Sequence, residues 1–194
     1  MKLTGPEISR RVAENRLTIE PFDVCKINPN SYNLSIGPKL LVYKPRRWFT
    51  PWRKPLVWGQ ENTSDYVVSM DVEKGFVIKP GWFYLGSTVE YTKTPNLVPI
   101  LDGRSSTGRL SLHIHATAGF GDVGFEGCWT LEMYSIIPVR VFPFTPICQI
   151  SYDLPEGEIL PYDGLYKGYD GPVFYQPPRD GKPTLSDSVL RDGR

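Results

Sequence analysis

Nineteen prolines and 18 glycines are scattered through 194 residues, and they cut the chain into apolar runs too short for a long helix. Proline removes the backbone N–H that a helix interior needs, and glycine weakens both helices and strands. The runs between them are rich in Val, Ile, Tyr, Phe and Trp, residues that suit a pleated, half-buried surface. This pattern predicts a mostly β domain, a barrel or jelly roll, because closure or face-to-face packing is how many short strands avoid open edges. Candidate strands are Tyr32 to Ile36, Lys39 to Tyr43, Tyr66 to Ser69, Gly75 to Ile78, Trp82 to Thr88 and Leu97 to Leu101. Four more are His113 to Ala116, Cys128 to Tyr134, Val139 to Phe142 and Cys148 to Tyr152. A short helix is predicted from about Pro6 to Asn15: Thr4 and Glu7 have capping-box spacing, Pro6 fits the first turn, and Ile8 and Val12 share a face.

The length fits one domain able to bury a core without disulfides or metals to staple it. Residues 1–175 are read as that domain, with 44–65 as a loop insertion and 176–194 as a polar, mobile tail. A net charge of +1 provides none of the basic surface that drives non-specific binding to DNA or RNA, so nucleic acid is not an expected partner. Cys25, Cys128 and Cys148 are odd in number and far apart, which speaks against a disulfide framework or a Cys-x-x-Cys metal site and for a reducing cytoplasm. Met1 to Glu7 has no apolar stretch behind its lysine, and no later run approaches a bilayer-spanning length. A soluble, unprocessed protein away from the membrane is expected. Within the insertion, Arg46, Arg47, Trp48, Trp52 and Arg53 interleave. Such residues can stack on single-stranded nucleic acid, but the expected reading is a surface loop whose tryptophans anchor it to its own domain or a neighbouring subunit.

Chemistry-bearing residues concentrate between Asp102 and Glu132. Arg104-Ser105-Ser106-Thr107-Gly108-Arg109, followed by apolar Leu110 and Leu112, has the pattern of a turn feeding a short helix. Exposed backbone N–H groups and guanidinium forks of that kind bind phosphate, while Ser, Thr and Gly clusters also simply make turns and caps. In Gly119-Phe120-Gly121-Asp122-Val123-Gly124-Phe125 the glycines permit close approach of a ligand, and Asp122 at the tip can accept a hydrogen bond from a sugar hydroxyl. A Gly-Asp turn with no ligand fits as well. Strand alternation puts Thr130 and Glu132 on one face and Trp129, Leu131 and Met133 on the other. A strand glutamate is ordinarily solvated, but one facing a closed pocket becomes a usable general base and acid. His113 and His115 would share a strand face. With no further histidine in the chain, packed imidazoles are expected rather than a metal pair, and the His-x-Glu with Pro-Cys-x-x-Cys signature of zinc deaminases is absent.

Taken in order, these segments resemble the dCTP deaminase family, a branch of the dUTPase-like trimeric nucleotidohydrolases. Ile27-Asn28-Pro29-Asn30-Ser31-Tyr32-Asn33-Leu34-Ser35-Ile36-Gly37 is similar to the family's P-x-S-x-D-L-x-L-G segment, with Asn33 where aspartate is usual. Lys79 to Glu90 resembles its P-G-x-F-x-L-x-x-T-x-E strand, and Gly103 to Arg109 its G-R-S-S-x-x-R motif. Thr117 to Asp122 with Gly124-Phe125 resembles its T-A-x-x-I-D-P-G-F hairpin, and Thr130-Leu131-Glu132 falls at the family spacing.

The resemblance implies a distorted β-barrel or jelly roll of the dUTPase-like type, with the short N-terminal helix and a short helix after the GRSS motif. It also implies a homotrimer with active sites at subunit interfaces. Glu132 would be the catalytic carboxylate, with Ser105 and Arg109 positioning the water, base and phosphates. Arg104, Ser106, Thr107, Gly108, Asp122, Thr130, Leu131, Gln149 and Tyr162 would be further substrate contacts. No metal ligand is implied, and magnesium would ride on the triphosphate. The leading expectation is zinc-independent deamination of dCTP to dUTP and ammonia. An alternative is a bifunctional enzyme that continues to dUMP and pyrophosphate, since Gly119, where many members have histidine, would leave room for a second water. A third reading is a non-catalytic nucleotide-binding barrel. Two departures stand out: Leu165 and Tyr169 replace a lysine and a glutamine of the family's C-terminal lid, and Gly121 replaces an isoleucine, loosening its turn. Lys167 would point the other way in a β-like lid.

Overall fold

The computed structural model describes residues 1–43 and 66–176; the insertion at 44–65 and the tail beyond Gln176 lie outside the described residues. Among the described residues eleven strands form: β1 (Thr18–Glu20), β2 (Tyr32–Ser35), β3 (Lys39–Tyr43), β4 (Tyr66–Ser69), β5 (Phe76–Ile78), β6 (Phe83–Lys93), β7 (Val98–Gly103), β8 (Leu112–His113), β9 (Glu126–Ser135), β10 (Val139–Val141) and β11 (Pro146–Asp153). Two short helices, α1 (Gly5–Ala13) and α2 (Ser105–Arg109), join them. The fold is mostly β, as the turn-punctuated sequence predicts, and both expected helices are present.

The strands divide among three sheets rather than one closed ring. The largest has the order β4-β3-β6-β9-β8, with β1 added on β6; β2, β11 and β7 form a second and β5 with β10 a third. All the named pairings are antiparallel. Facing sides of these sheets enclose one core that includes Leu34, Leu40, Leu101, Leu131, Met133 and Ile150, all almost wholly buried.

Several elements depart from expectation for identifiable reasons. Thr4 is the N-cap of α1, but its side chain makes no cap bond. Glu7 is drawn instead to Arg10 and Arg11, at 2.7 Å from each guanidinium. These partners hold its carboxyl down at about 2. The helix stops at Ala13, two residues before Asn15, which takes the left-handed conformation at φ 56 that asparagine tolerates. Strand β6 continues five residues past the expected end at Thr88 because its polar side chains there are paired. Thr88 Oγ1 accepts from Trp129 N at 2.9 Å across a register shift between β6 and β9, and Glu90 is fully buried with Lys26 Nζ 2.6 Å away. β1 pairs with the far end of β6, and its three residues carry no readable alternation. Conversely, β8 ends at His113, not Ala116. His113 stacks on Tyr134 at 4.3 Å while His115 turns to Asp102, so the two imidazoles do not share a strand face.

Candidate active site

Glu132 sits near the middle of β9, with Thr130 beside it on the less buried face, while Trp129, Leu131 and Met133 fill the core face as alternation predicts. When β8 leaves the sheet, its chain turns back over β9. The backbone N–H groups of Ala116 and Thr117 then donate to Glu132 Oε2 at 2.9 and 3.2 Å. Oε1 has no protein partner among the described residues. One oxygen is thus fixed by the main chain, and the other is open to a ligand.

Glu132 lines a cavity of about 420 Å³, within the range of roughly 300–1,000 Å³ usual for small-molecule sites. Three parts of the chain enclose it. Strands β6 and β9 supply Phe83, Leu85, Thr130 and Glu132, the hairpin after Ala118 supplies Phe120, Asp122 and Phe125, and the segment 162–175 lies across as a lid. The lid is seated by main-chain bonds: Gly168 N donates to Glu126 O at 2.8 Å, Cys128 N to Tyr169 O at 2.8 Å and Tyr162 N to Val123 O at 2.7 Å. Val173 N adds a bond to Thr130 Oγ1 at 3.2 Å. From the lid, Tyr162, Tyr166, Tyr169 and Phe174 face the cavity. Lys167 does not; its Nζ donates to Tyr162 O at 3.2 Å. Asp122 and Glu132 are the charged lining residues, and no cation faces the cavity among the described residues.

The cavity therefore gathers Asp122, Thr130, Glu132 and Tyr162 from the predicted site. It does not gather the Arg-Ser-Ser-Thr-Gly-Arg cluster. Arg104 Nη1 donates to Pro146 O at 2.8 Å and the buried Thr107 Oγ1 to Ile147 O at 3.0 Å, which fasten α2 onto β11. Gln149 is used the same way: Nε2 donates to Gly103 O at 2.9 Å and Oε1 accepts from Ser31 Oγ at 2.8 Å. Ser105, Ser106, Gly108 and Arg109 remain exposed on α2. Leu131 points its side chain wholly into the core.

An added Cβ on Gly119 would lie 2.6 Å from Leu101 O and 3.0 Å from His115 Cε1, so a larger residue does not fit at this position. Gly121 does not loosen its turn, because its N–H is tied to Pro99 O at 2.9 Å. The aromatic lining contributed by Phe83, Trp129, Tyr166 and Phe174 was not identified from the sequence; these residues converge from separate segments, and no local spacing marks them.

Cys128 also lines the cavity. Burial, reinforced by the Asp170 and Glu90 charges, pushes its thiol up to about 11, which keeps it protonated and a poor nucleophile at neutral pH. Cys148 is buried as well, and Cys25 is exposed. Brief alkylation of the native protein should therefore add one group, at Cys25, as read by peptide mass; rapid labelling of Cys128 would show that the lid does not shield it.

Comparison with known proteins bears on this geometry. The dCTP deaminase-like family matches residues 2–154. A protein of Clostridium botulinum (strain Alaska E43 / Type E3) named dCTP deaminase, dUMP-forming is 44% identical over 178 residues, covering 88% of this chain and 93% of its own. Proteins of the same name from Leptospira biflexa (46% over 173 residues, covering 88% and 92%) and Cytophaga hutchinsonii (44% over 180 residues, covering 91% and 98%) agree. Among solved structures, that of 2′-deoxycytidine 5′-triphosphate deaminase from Agrobacterium tumefaciens superposes with a TM-score of 0.61 at 22% identity. It covers 79% of this chain and 48% of that one, a likeness of fold. With four fifths of its length matched and Glu132 presented to a nucleotide-sized cavity, this chain belongs to the dCTP deaminase-like family.

Proposed function

We propose that the protein converts dCTP to dUMP, ammonia and pyrophosphate in the cytoplasm, consuming two waters. The observation that carries the deamination step is the split use of the Glu132 carboxylate. Oε2 accepts from two backbone N–H groups, and Oε1 is left to take a proton from water as hydroxide adds to C4 of cytosine. The same oxygen returns the proton to the amine, the C4–N bond breaks and ammonia leaves. Asp122 accepts from the deoxyribose hydroxyl, and Thr130 and Tyr162 border the base and sugar. In the second step water attacks the α-phosphate and pyrophosphate departs. The dUMP-forming name shared by the relatives favours this product over dUTP.

A cavity whose charges are carboxylates cannot hold a triphosphate alone, since bringing like charges together in a dry site is costly. The exposed Ser105, Ser106, Gly108 and Arg109 of α2, with Arg104 beside them, are the natural complement if a second copy presents them. We therefore read the assembly as a homotrimer with sites between subunits. Magnesium would arrive on the phosphates, which it binds with water rather than a protein cage.

Incubation with magnesium and dCTP should release ammonia, pyrophosphate and dUMP in equal amounts without accumulation of dUTP. Ammonia with dUTP and no pyrophosphate would overturn the second step. No turnover of dCTP would overturn the reading as a whole.

A further inference from the structure

Gly121 has no positive φ, so any residue could adopt its backbone conformation. What its position demands is space. The backbone cannot retreat, because the hairpin runs along β7 as an added strand: Leu101 N donates to Gly119 O at 2.7 Å, Gly121 N to Pro99 O at 2.9 Å, and Ile100 bridges Phe120. A Cβ on Gly121 would overlap Cη2 of the Trp129 indole and lie 2.9 Å from Pro99 Cγ.

Trp129 is equally constrained. It leaves β9 on the core face at 6% exposure, and its Nε1 donates to the fully buried Thr92 Oγ1 at 2.9 Å. That bond aims the indole under the hairpin, where its ring packs at 4.5 Å on Phe125, which in turn lies 5.9 Å from Tyr162. Asp122 follows Gly121 directly. The indole thus props both the aromatic wall and the carboxylate at one end of the cavity.

We infer that Gly121 and Trp129 form one size-matched pair that sets the wall receiving the sugar end of the nucleotide. Trp129 is a positioning residue acting through Phe125 and Asp122, and Gly121 is the space that admits it. Both roles rest on the reading that this cavity receives a deoxycytidine nucleotide. Volume added at 121 displaces the indole, and volume removed at 129 lets Phe125 fall back; trading the two restores the wall, because volume-conserving changes are the ones a packed site tolerates.

The test compares Gly121→Ile, Trp129→Val and the double variant by calorimetric titration with dUMP and by kcat and KM for dCTP. Each single variant should weaken dUMP binding and raise KM about tenfold with a smaller change in kcat, and the double should return within about threefold of wild type. If Gly121→Ile does not fold, loss in Trp129→Val and recovery in the double still decide the matter. Single variants that lower only the melting temperature, or a double as weak as the two losses combined, would overturn the pairing. A wild type that binds dUMP but does not turn over dCTP would remove the proposed reaction and leave the pairing to be judged on binding; one that binds neither nucleotide removes both.

Discussion

Glu132→Gln is expected to lower kcat for deamination about 10³-fold, within the usual range for loss of a general acid and base and equal to about 4 kcal/mol of barrier. The amide retains an oxygen to accept from Ala116 and Thr117, so the turn over β9 should persist. Only the proton-accepting second oxygen is lost. Removing a negative charge from the cavity leaves triphosphate binding unchanged or tighter, and the dissociation constant for dCTP should stay within about threefold. Turnover and thermal melting together separate a chemical role from a structural one. Retained turnover would take Glu132 out of the mechanism, and a large drop in melting temperature would make it a structural residue instead.

The largest expected loss of stability lies at Glu90, away from the cavity. Its side chain is 0% exposed, with Oε1 2.6 Å from Lys26 Nζ and Oε2 accepting from Ser35 N at 2.8 Å. Lys26 Nζ also donates to Ser35 Oγ at 2.8 Å. Glu90→Ala strands a half-buried ammonium and an unmade backbone bond together. Breaking one side of such a pair costs about 3–5 kcal/mol, or roughly 10 °C in melting temperature for a chain of this size. Lys26→Met combined with Glu90→Leu should recover most of it, because the desolvation penalty disappears with the charges. Melts must be compared at one protein concentration. A loss below about 1 kcal/mol in the single variant would mean that water reaches the pair.

Features that depend on local pattern were readable in advance. The alternation through β9 placed Thr130 and Glu132 correctly, and the Arg-Ser-Ser-Thr-Gly-Arg cluster formed the expected short helix. Features that depend on distant partners were not. The strand reads as ending at Thr88 until Lys26 is seen beside Glu90, and Thr4 with Glu7 reads as a capping box until Arg10 and Arg11 compete for the glutamate. Gly119 pointed to the dUMP-forming product, which the relatives' names favour, while the crowding of Leu101 and His115 on the side where its Cβ would stand depends on distant partners. The α2 cluster illustrates a further boundary: its spacing fits phosphate contacts and a simple capped turn alike, and its distance from the cavity is set by bonds to β11 forty residues away.

The lid is sewn to β9 and the hairpin largely through peptide groups: Gly168 to Glu126, Cys128 to Tyr169 and Tyr162 to Val123. Peptide groups are the same whatever side chain they carry. The seat of the lid is therefore indifferent to most of the side chains it carries: Phe174 can be exchanged on a fixed frame, and Tyr166 and Tyr169 are tied, among the described residues, only to Gln176 at the lid's own end. A chain built this way can change its choice of ligand by single steps without relearning how to shut.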